Sequence, residues 1–278
     1  MPYWGIYLKS LSFNALQIGA LLSLFQISRI FAPNVLGWVA DQSGEYIKWI
    51  KISSFFGFII FMGIFWSNTF VNIFVVMMAM SIFTSSTLPL AESLTLAHLK
   101  ANKADSKYSH IRLWGSIGFI VAALSLGVMI DSYGERSLIY ALLITQLVIF
   151  FLAFILPEKK INFTKFNKRS IWPILKKREV IVLLLSCALM VSSHGLLYNF
   201  YSIFLEDQGY SGATIGLLWS VGVVFEILIF LLMPKILSKF TLKSVLLISI
   251  AFAVLRFFLI GAYVDSILIL IAAQIMHA

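Results

Sequence analysis

The chain has 278 residues, of which 60% are hydrophobic and 12% charged, and its mean hydropathy is +0.96. That lies far outside the range of soluble globular proteins. A net charge of +9 would suit a nucleic-acid partner, but the basic residues sit in short breaks between apolar runs, which argues against nucleic acid.

In chain order, Pro2–Leu8 reads as the tail of a first membrane helix. Apolar spans then follow near Ile18–Ala40, Ile50–Trp66, Phe70–Leu96, Leu113–Ile130 and Ser137–Leu156. After a polar stretch come Val180–Leu205, Ile215–Met233 and Ser244–Tyr263, with Ser266–Ala278 starting a tenth helix. Runs of this length cross ~30 Å of hydrocarbon as helices. The expected class is an all-α polytopic membrane protein in a lipid bilayer. Pro33 and Pro89 are expected to interrupt helices two and four. The lone Cys187, in helix seven, rules out an internal disulfide and reads as a packing residue.

The chain repeats itself. Residues 6–23 (IYLKSLSFNALQIGALLS) lie over 203–220 (IFLEDQGYSGATIGLLWS), pairing Ile6 with Ile203, Leu8 with Leu205, Gly19 with Gly216 and Ser23 with Ser220. At the same offset Arg29 falls on Glu226. Such a period indicates two duplicated helical bundles clamping a midplane site. The expected division is 1–156 as the N-terminal bundle, 157–179 as a cytoplasmic linker, and 180–278 as the C-terminal bundle holding helices seven to ten. By the same offset the fold is expected to be truncated at both ends, with most of helix one and all of helices eleven and twelve absent. Its second bundle would then be open, so the 278-residue chain alone is expected to be poorly stable and inactive in uptake.

Sixteen Lys and Arg fall in alternate loops, among them Lys48, Lys51, Lys100, Lys159, Lys176, Arg178 and Lys235. The opposite loops carry only Lys9 and Arg136, beside Asp131 and Glu135, and the acidic Glu206, Asp207 and Asp265. By the positive-inside rule the basic side is cytoplasmic; the expected location is a bacterial inner membrane, crossed many times.

Gly37-Trp-Val-Ala-Asp41-Gln-Ser-Gly44-Glu-Tyr-Ile-Lys48 follows helix two. Gly37 would let helices approach closely, Asp41 sits at a helix end where it can pair across the bundle, and Gly44 permits a tight turn. Ionisable residues inside spans are a second signal, because each costs ~2.5–3.5 kcal/mol at a helix centre on insertion scales. They are Arg29 in helix two, Glu92 in four, Arg112 in five, His194 in seven, Glu226 in eight, Arg256 in nine and His277 in ten. Such groups must neutralise one another, take up protons or face water. Trp219 and Glu226 share a side of helix eight, and His194, Tyr198 and Tyr201 share one on helix seven. Aromatic rings around one fixed cation suit a planar aromatic ring bearing a carboxylate. The same kit also fits a sugar.

The segment Gly37–Lys48 resembles the 2–3 loop signature of the major facilitator superfamily. The order of intramembrane charges resembles the lactose permease type of proton symporter. The strings Pro2-Tyr3-Trp4, Ile111-Arg112-Leu113-Trp114-Gly115-Ser116, Ser193-His194-Gly195, Leu218-Trp219-Ser220, Arg256-Phe257 and Gln274-x-x-His277-Ala278 resemble the 3-phenylpropionate transporter family. That resemblance implies a major facilitator fold and a proton-coupled symporter importing a small organic solute by alternating access. The solute is expected to be an aromatic carboxylate, with a sugar or nucleoside as the alternative. Arg112, Arg256, Trp219, Tyr198 and Tyr201 would bind substrate, and Glu226, Glu92, His277 and His194 would carry the proton. Gly37, Asp41, Gly44 and Lys48 would gate the cytoplasmic side, and Arg29 would sit in a buried ion pair. No enzyme, cofactor or metal site is expected, and the protein is expected to act as a monomer on small-molecule substrate and protons.

Overall fold

The computed structural model describes residues 2–104, 107–157 and 172–277. Much of the expected linker, with Lys159, Lys160, Lys165, Lys168 and Arg169, lies outside the described residues, as does Ala278. All regular structure among the described residues is helical: α1 (Trp4–Ser10), α2 (Ala15–Ser43), α3 (Tyr46–Met62), α4 (Phe70–Ala101), α5 (Tyr108–Tyr133), α6 (Ser137–Ile155), α7 (Trp172–Leu175), α8 (Arg178–Asp207), α9 (Gly212–Leu237), α10 (Leu242–Ala262) and α11 (Ile267–Ile275). Eight of them are long and apolar enough to cross a membrane. Leu16, Trp114, Leu189 and Leu268 are among the many large apolar side chains left exposed, as a lipid-facing surface requires.

Helix ends follow local chemistry. The Asn14 side chain accepts from the Gln17 amide at 2.9 Å, and the Gln17 side chain accepts from the Asn14 amide at 3.0 Å, so a capping box starts α2. Ser211 starts α9 with its hydroxyl toward the Thr214 amide. The duplication reaches these boundaries. The end of α1 matches the end of α8, and the starts of α2 and α4 match those of α9 and α11, all at one offset of 197 (207 − 10, 212 − 15, 267 − 70). Gly44 ends α2 at φ 69°, a left-handed cap that favours glycine, as the turn expectation required. Pro33 and Pro89 lie inside α2 and α4, which run on past them. One lost backbone bond in a long membrane helix is absorbed by its neighbours. Cys187 is exposed on α8 rather than packed.

The chain forms two compact units. The first comprises the described residues of 1–6, 112–134 and 170–278, and the second those of 7–111 and 135–169. In the second, α4 packs on α2 and α3, and α3 packs on α6. Small and hydroxyl residues sit at these crossings, where van der Waals packing must hold helices that lipid would otherwise solvate. Ser28 and Ser81 meet across α2 and α4 at 2.5 Å. A Cβ on Gly57 would come within 3.0 Å of Thr84 Cγ2. Ala40, Tyr46, Ile47, Ile50, Leu90, Leu94 and Ala153 close the core at one end.

In the first unit α11 packs on α9 and α10, and α8 on α9. Gly5 brings α1 against α8, since a Cβ there would meet Ile203 Cδ1 at 2.8 Å. Backbone approach is closer still between α5 and α9, where Gly127 faces the Gly212 carbonyl and Gly216 faces the Ala123 carbonyl. The buried Tyr3 hydroxyl lies 2.7 Å from Ala123 O and 3.0 Å from Gly212 O, joining α1 to both helices. Asp131 of α5 caps α9, its Oδ1 accepting from the Gly212 amide at 2.6 Å and its Oδ2 from the Ala213 amide at 2.8 Å. A carboxylate at a helix N-terminus satisfies orphan donors and complements the helix dipole. Asp131→Ala is therefore expected to cost about 1 kcal/mol, read as a lower melting temperature in detergent. An unchanged melt would show the cap to be idle.

Candidate substrate site

Within the first unit, α8, α9, α10 and α11 bring most of the expected substrate and proton residues together. Tyr198 and Trp219 stack with centroids 6.0 Å apart and planes 19° from parallel. Tyr201 meets Trp219 edge-on at 5.6 Å. The indole is held in place by its Nε1–H, which donates to Ser202 Oγ at 2.9 Å. Phe119 of α5 adds an edge contact at 6.4 Å. Trp219 and Tyr201 are buried, while Tyr198 keeps 46% of its surface and forms an open wall.

Arg256 is wholly buried on α10. Its Nη1 donates to His277 Nδ1 at 2.6 Å, and its Nη2 donates to Gln274 Oε1 at 3.1 Å. Among the described residues no carboxylate lies within ion-pair distance of it. His277 packs edge-on to Tyr198 at 5.9 Å and lies 6.1 Å from the His194 ring. His194 also meets Phe257 at 5.4 Å, and its Nδ1 lies 2.9 Å from Met190 O. Glu226 is exposed on α9, two turns beyond Trp219 and on the same side of that helix. The unit therefore holds a buried cation, two imidazoles and an aromatic wall in one neighbourhood, with the Glu226 carboxylate further along α9. Chemically that set can hold an acceptor head group beside a flat ring, and it can exchange protons.

Other expected site residues are placed elsewhere. Arg112, also in the first unit, is exposed at the start of α5, its Nη1 3.0 Å from where a Gly115 Cβ would lie. Glu92 is half-buried on α4 in the second unit. Arg29 departs from expectation: it is exposed and donates to Gln26 Oε1 at 3.4 Å, one helical turn away, with no ion pair among the described residues.

The gating segment belongs to the second unit. Asp41 accepts a hydrogen bond from the Tyr46 hydroxyl, and Lys48 pairs with Glu45 at 2.8 Å. Gly37 also differs from expectation, since a Cβ there would meet nothing within 4 Å. Instead of permitting a close helix approach, it borders a cavity of about 270 Å³ lined by Pro33, Asn34, Trp38, Asp41, Tyr46 and Pro89 among others.

Gln274, Ser202, Phe119 and Phe257 were not foreseen as site residues. Gln274 left one usable signal: a lone amide on the apolar α11, three residues before His277 and hence on its face.

Comparison with known proteins places this geometry. The MFS_1 like family matches residues 1–278. The chain is 27% identical to the "Probable 3-phenylpropionic acid transporter" of Escherichia coli over 283 aligned positions, which cover 100% of the chain and 73% of that protein. It is 27% identical to the E. coli nucleoside permease NupG, covering 94% of the chain and 68% of the permease, and 24% identical to the maltose permease of Geobacillus stearothermophilus, covering 81% and 55%. The crystal structure of NupG with a D323A substitution superposes with a TM-score of 0.88 at 22% identity, over 99% of this chain and 74% of that one. A second crystal structure of NupG gives 0.83 at 24%, over 99% and 73%. The chain is thus a multi-pass membrane protein with the major facilitator fold, and it belongs to the MFS_1 like family.

Proposed function

We propose that the protein is a proton-coupled secondary transporter, not an enzyme, that imports a small aromatic carboxylate such as 3-phenylpropionate by alternating access. The observation that carries this reading is Arg256, a buried cation without a carboxylate partner among the described residues, beside the Tyr198–Trp219 stack. Burying a charge unpaired is costly, and an arriving carboxylate would supply the missing charge while its ring lies along the aromatic wall. In this reading Arg112 joins Arg256 in binding substrate, and Glu226, with Glu92 or His277, takes the proton. His277 is constrained in that role. A guanidinium only donates, so His277 Nδ1 accepts from Arg256 and the ring gains a second proton only as that contact opens. Asp41, Gly44 and Lys48 form the cytoplasmic latch. The protein sits as a monomer in the bacterial inner membrane with its basic loops inside.

Calorimetric titration of the purified chain with 3-phenylpropionate, uridine and maltose tests the substrate. Saturable binding of 3-phenylpropionate, with the other two at least tenfold weaker, is expected. Preference for uridine or maltose would replace the carboxylate reading with a nucleoside or sugar one. The proton is tested separately, in a version extended to the length of the relatives. Glu226→Gln is expected to abolish uphill uptake of labelled 3-phenylpropionate while leaving exchange. Full accumulation against a gradient by that variant would remove Glu226 from the proton path.

A further inference from the structure

Arg256 dictates the chemistry of what it touches. Because a guanidinium carries donors only, Gln274 must turn Oε1 toward Nη2, and its Nε2 amide is left pointing elsewhere. That amide is fully buried and has no hydrogen-bond partner among the described residues; the same holds for Arg256 Nε and the Tyr201 hydroxyl. Unmet polar atoms are rare in protein interiors, and here three lie on residues gathered at one spot. His277, accepting at Nδ1, keeps its proton on Nε2 and adds another donor to the neighbourhood.

The approach of α9 is shaped around this amide. A Cβ on Gly222 would meet Gln274 Oε1 at 3.1 Å and His277 Cδ2 at 3.2 Å, tighter than ordinary contact. Glycine at 222 thus leaves the amide where Arg256 can hold it.

We infer that Gln274 sets specificity for the substrate's head group: Oε1 fixes Arg256, while Nε2 donates to an oxygen of the bound carboxylate. This rests on the reading of the substrate as an aromatic carboxylate. A merely structural glutamine would hold Arg256 and do nothing else, so the two roles part on ligand selectivity. Gln274→Glu keeps the shape and the contact to Arg256 but replaces the free donor with an anionic oxygen. Gln274→Met keeps the bulk and removes both polar atoms.

The experiment is calorimetric titration of the purified wild-type chain and both variants with 3-phenylpropionate and with its neutral analogue 3-phenylpropanamide. In Gln274→Glu the carboxylate is expected to bind at least 100-fold more weakly and the amide within threefold of wild type. In Gln274→Met the carboxylate is expected to weaken at least tenfold, again more than the amide. Carboxylate binding within threefold of wild type in both variants overturns the inference. So does an equal loss for both ligands, or loss of a monodisperse protein in both variants, since either marks a structural residue. If the wild-type chain binds neither compound, the functional reading itself fails and the inference falls with it.

Discussion

Arg256→Met is expected to abolish measurable binding of 3-phenylpropionate while leaving the melting temperature of the ligand-free protein within a few degrees of wild type. Truncating one member of a buried, hydrogen-bonded charge pair costs about 2–5 kcal/mol, so the dissociation constant should rise by roughly 30-fold to several thousand-fold. Stability follows different arithmetic. Replacing a buried ion pair by apolar side chains is often neutral or stabilising by about 1–4 kcal/mol. Arg256 has no carboxylate partner among the described residues, so its removal leaves no opposite charge stranded. Against this, His277 Nδ1 and Gln274 Oε1 lose their donor, at about 1–3 kcal/mol each. The two effects roughly offset. A residue kept for function rather than for the fold should show this signature, with affinity lost and stability retained. Calorimetry and a thermal melt in detergent read both numbers. If the melting temperature collapses and the surviving folded protein still binds the carboxylate, Arg256 is a structural residue and the substrate reading loses its anchor. Arg256→Lys refines the test. It keeps the charge but not the planar fork that reaches two partners at once, and it should recover only part of the affinity.

The sequence carried the fold because its strongest signals are local or periodic. Apolar run length gives spanning helices, and the caps at Asn14 and Ser211 are short-range chemistry that a 197-residue repeat places twice. His194, Tyr198 and Tyr201 were legible as one face because helical spacing alone puts them there, and the stack of Tyr198 on Trp219 follows once α8 meets α9. What could not be read depends on which distant backbone arrives opposite a side chain. Asp131 looks like a loop charge beside Arg136, yet it caps a helix 81 residues further on. Gln274 stands in a family-like string but was given no role, and its importance appears only when Arg256 of another helix points at its oxygen. Arg29 shows the reverse error. The cost of a charge inside a span suggested a buried ion pair, but the guanidinium finds Gln26 one turn away and stays exposed.

Glycine makes the same distinction, and Gly216→Leu against Gly37→Leu turns it into the second large prediction. Both glycines sit inside long membrane helices and both could mark a close helix crossing. At Gly216 a Cβ would run into the Ala123 carbonyl and lie 2.5 Å from the Tyr3 hydroxyl, and at the neighbouring Gly212 it would lie 2.7 Å from Gly127 O. Those obstacles are mostly backbone, so no rotamer change relieves them: α5 and α9 must part. The Tyr3 hydrogen bonds and the Asp131 cap bridge the same two helices and would be strained together. Overpacking of this kind costs about 1–3 kcal/mol or more, which corresponds to a fall of roughly 2–12 °C in melting temperature for a chain of this order of size. At Gly37 the new side chain enters open space beside the cavity. Gly37→Leu should therefore stay within about 0.5 kcal/mol of wild type, the usual range for substitutions away from packed contacts. Paired melts in one detergent decide the matter. Equal melting temperatures for the two variants would mean that α5 and α9 do not meet backbone to backbone in the folded protein, and the crossing that joins α1, α5 and α9 would have to be abandoned.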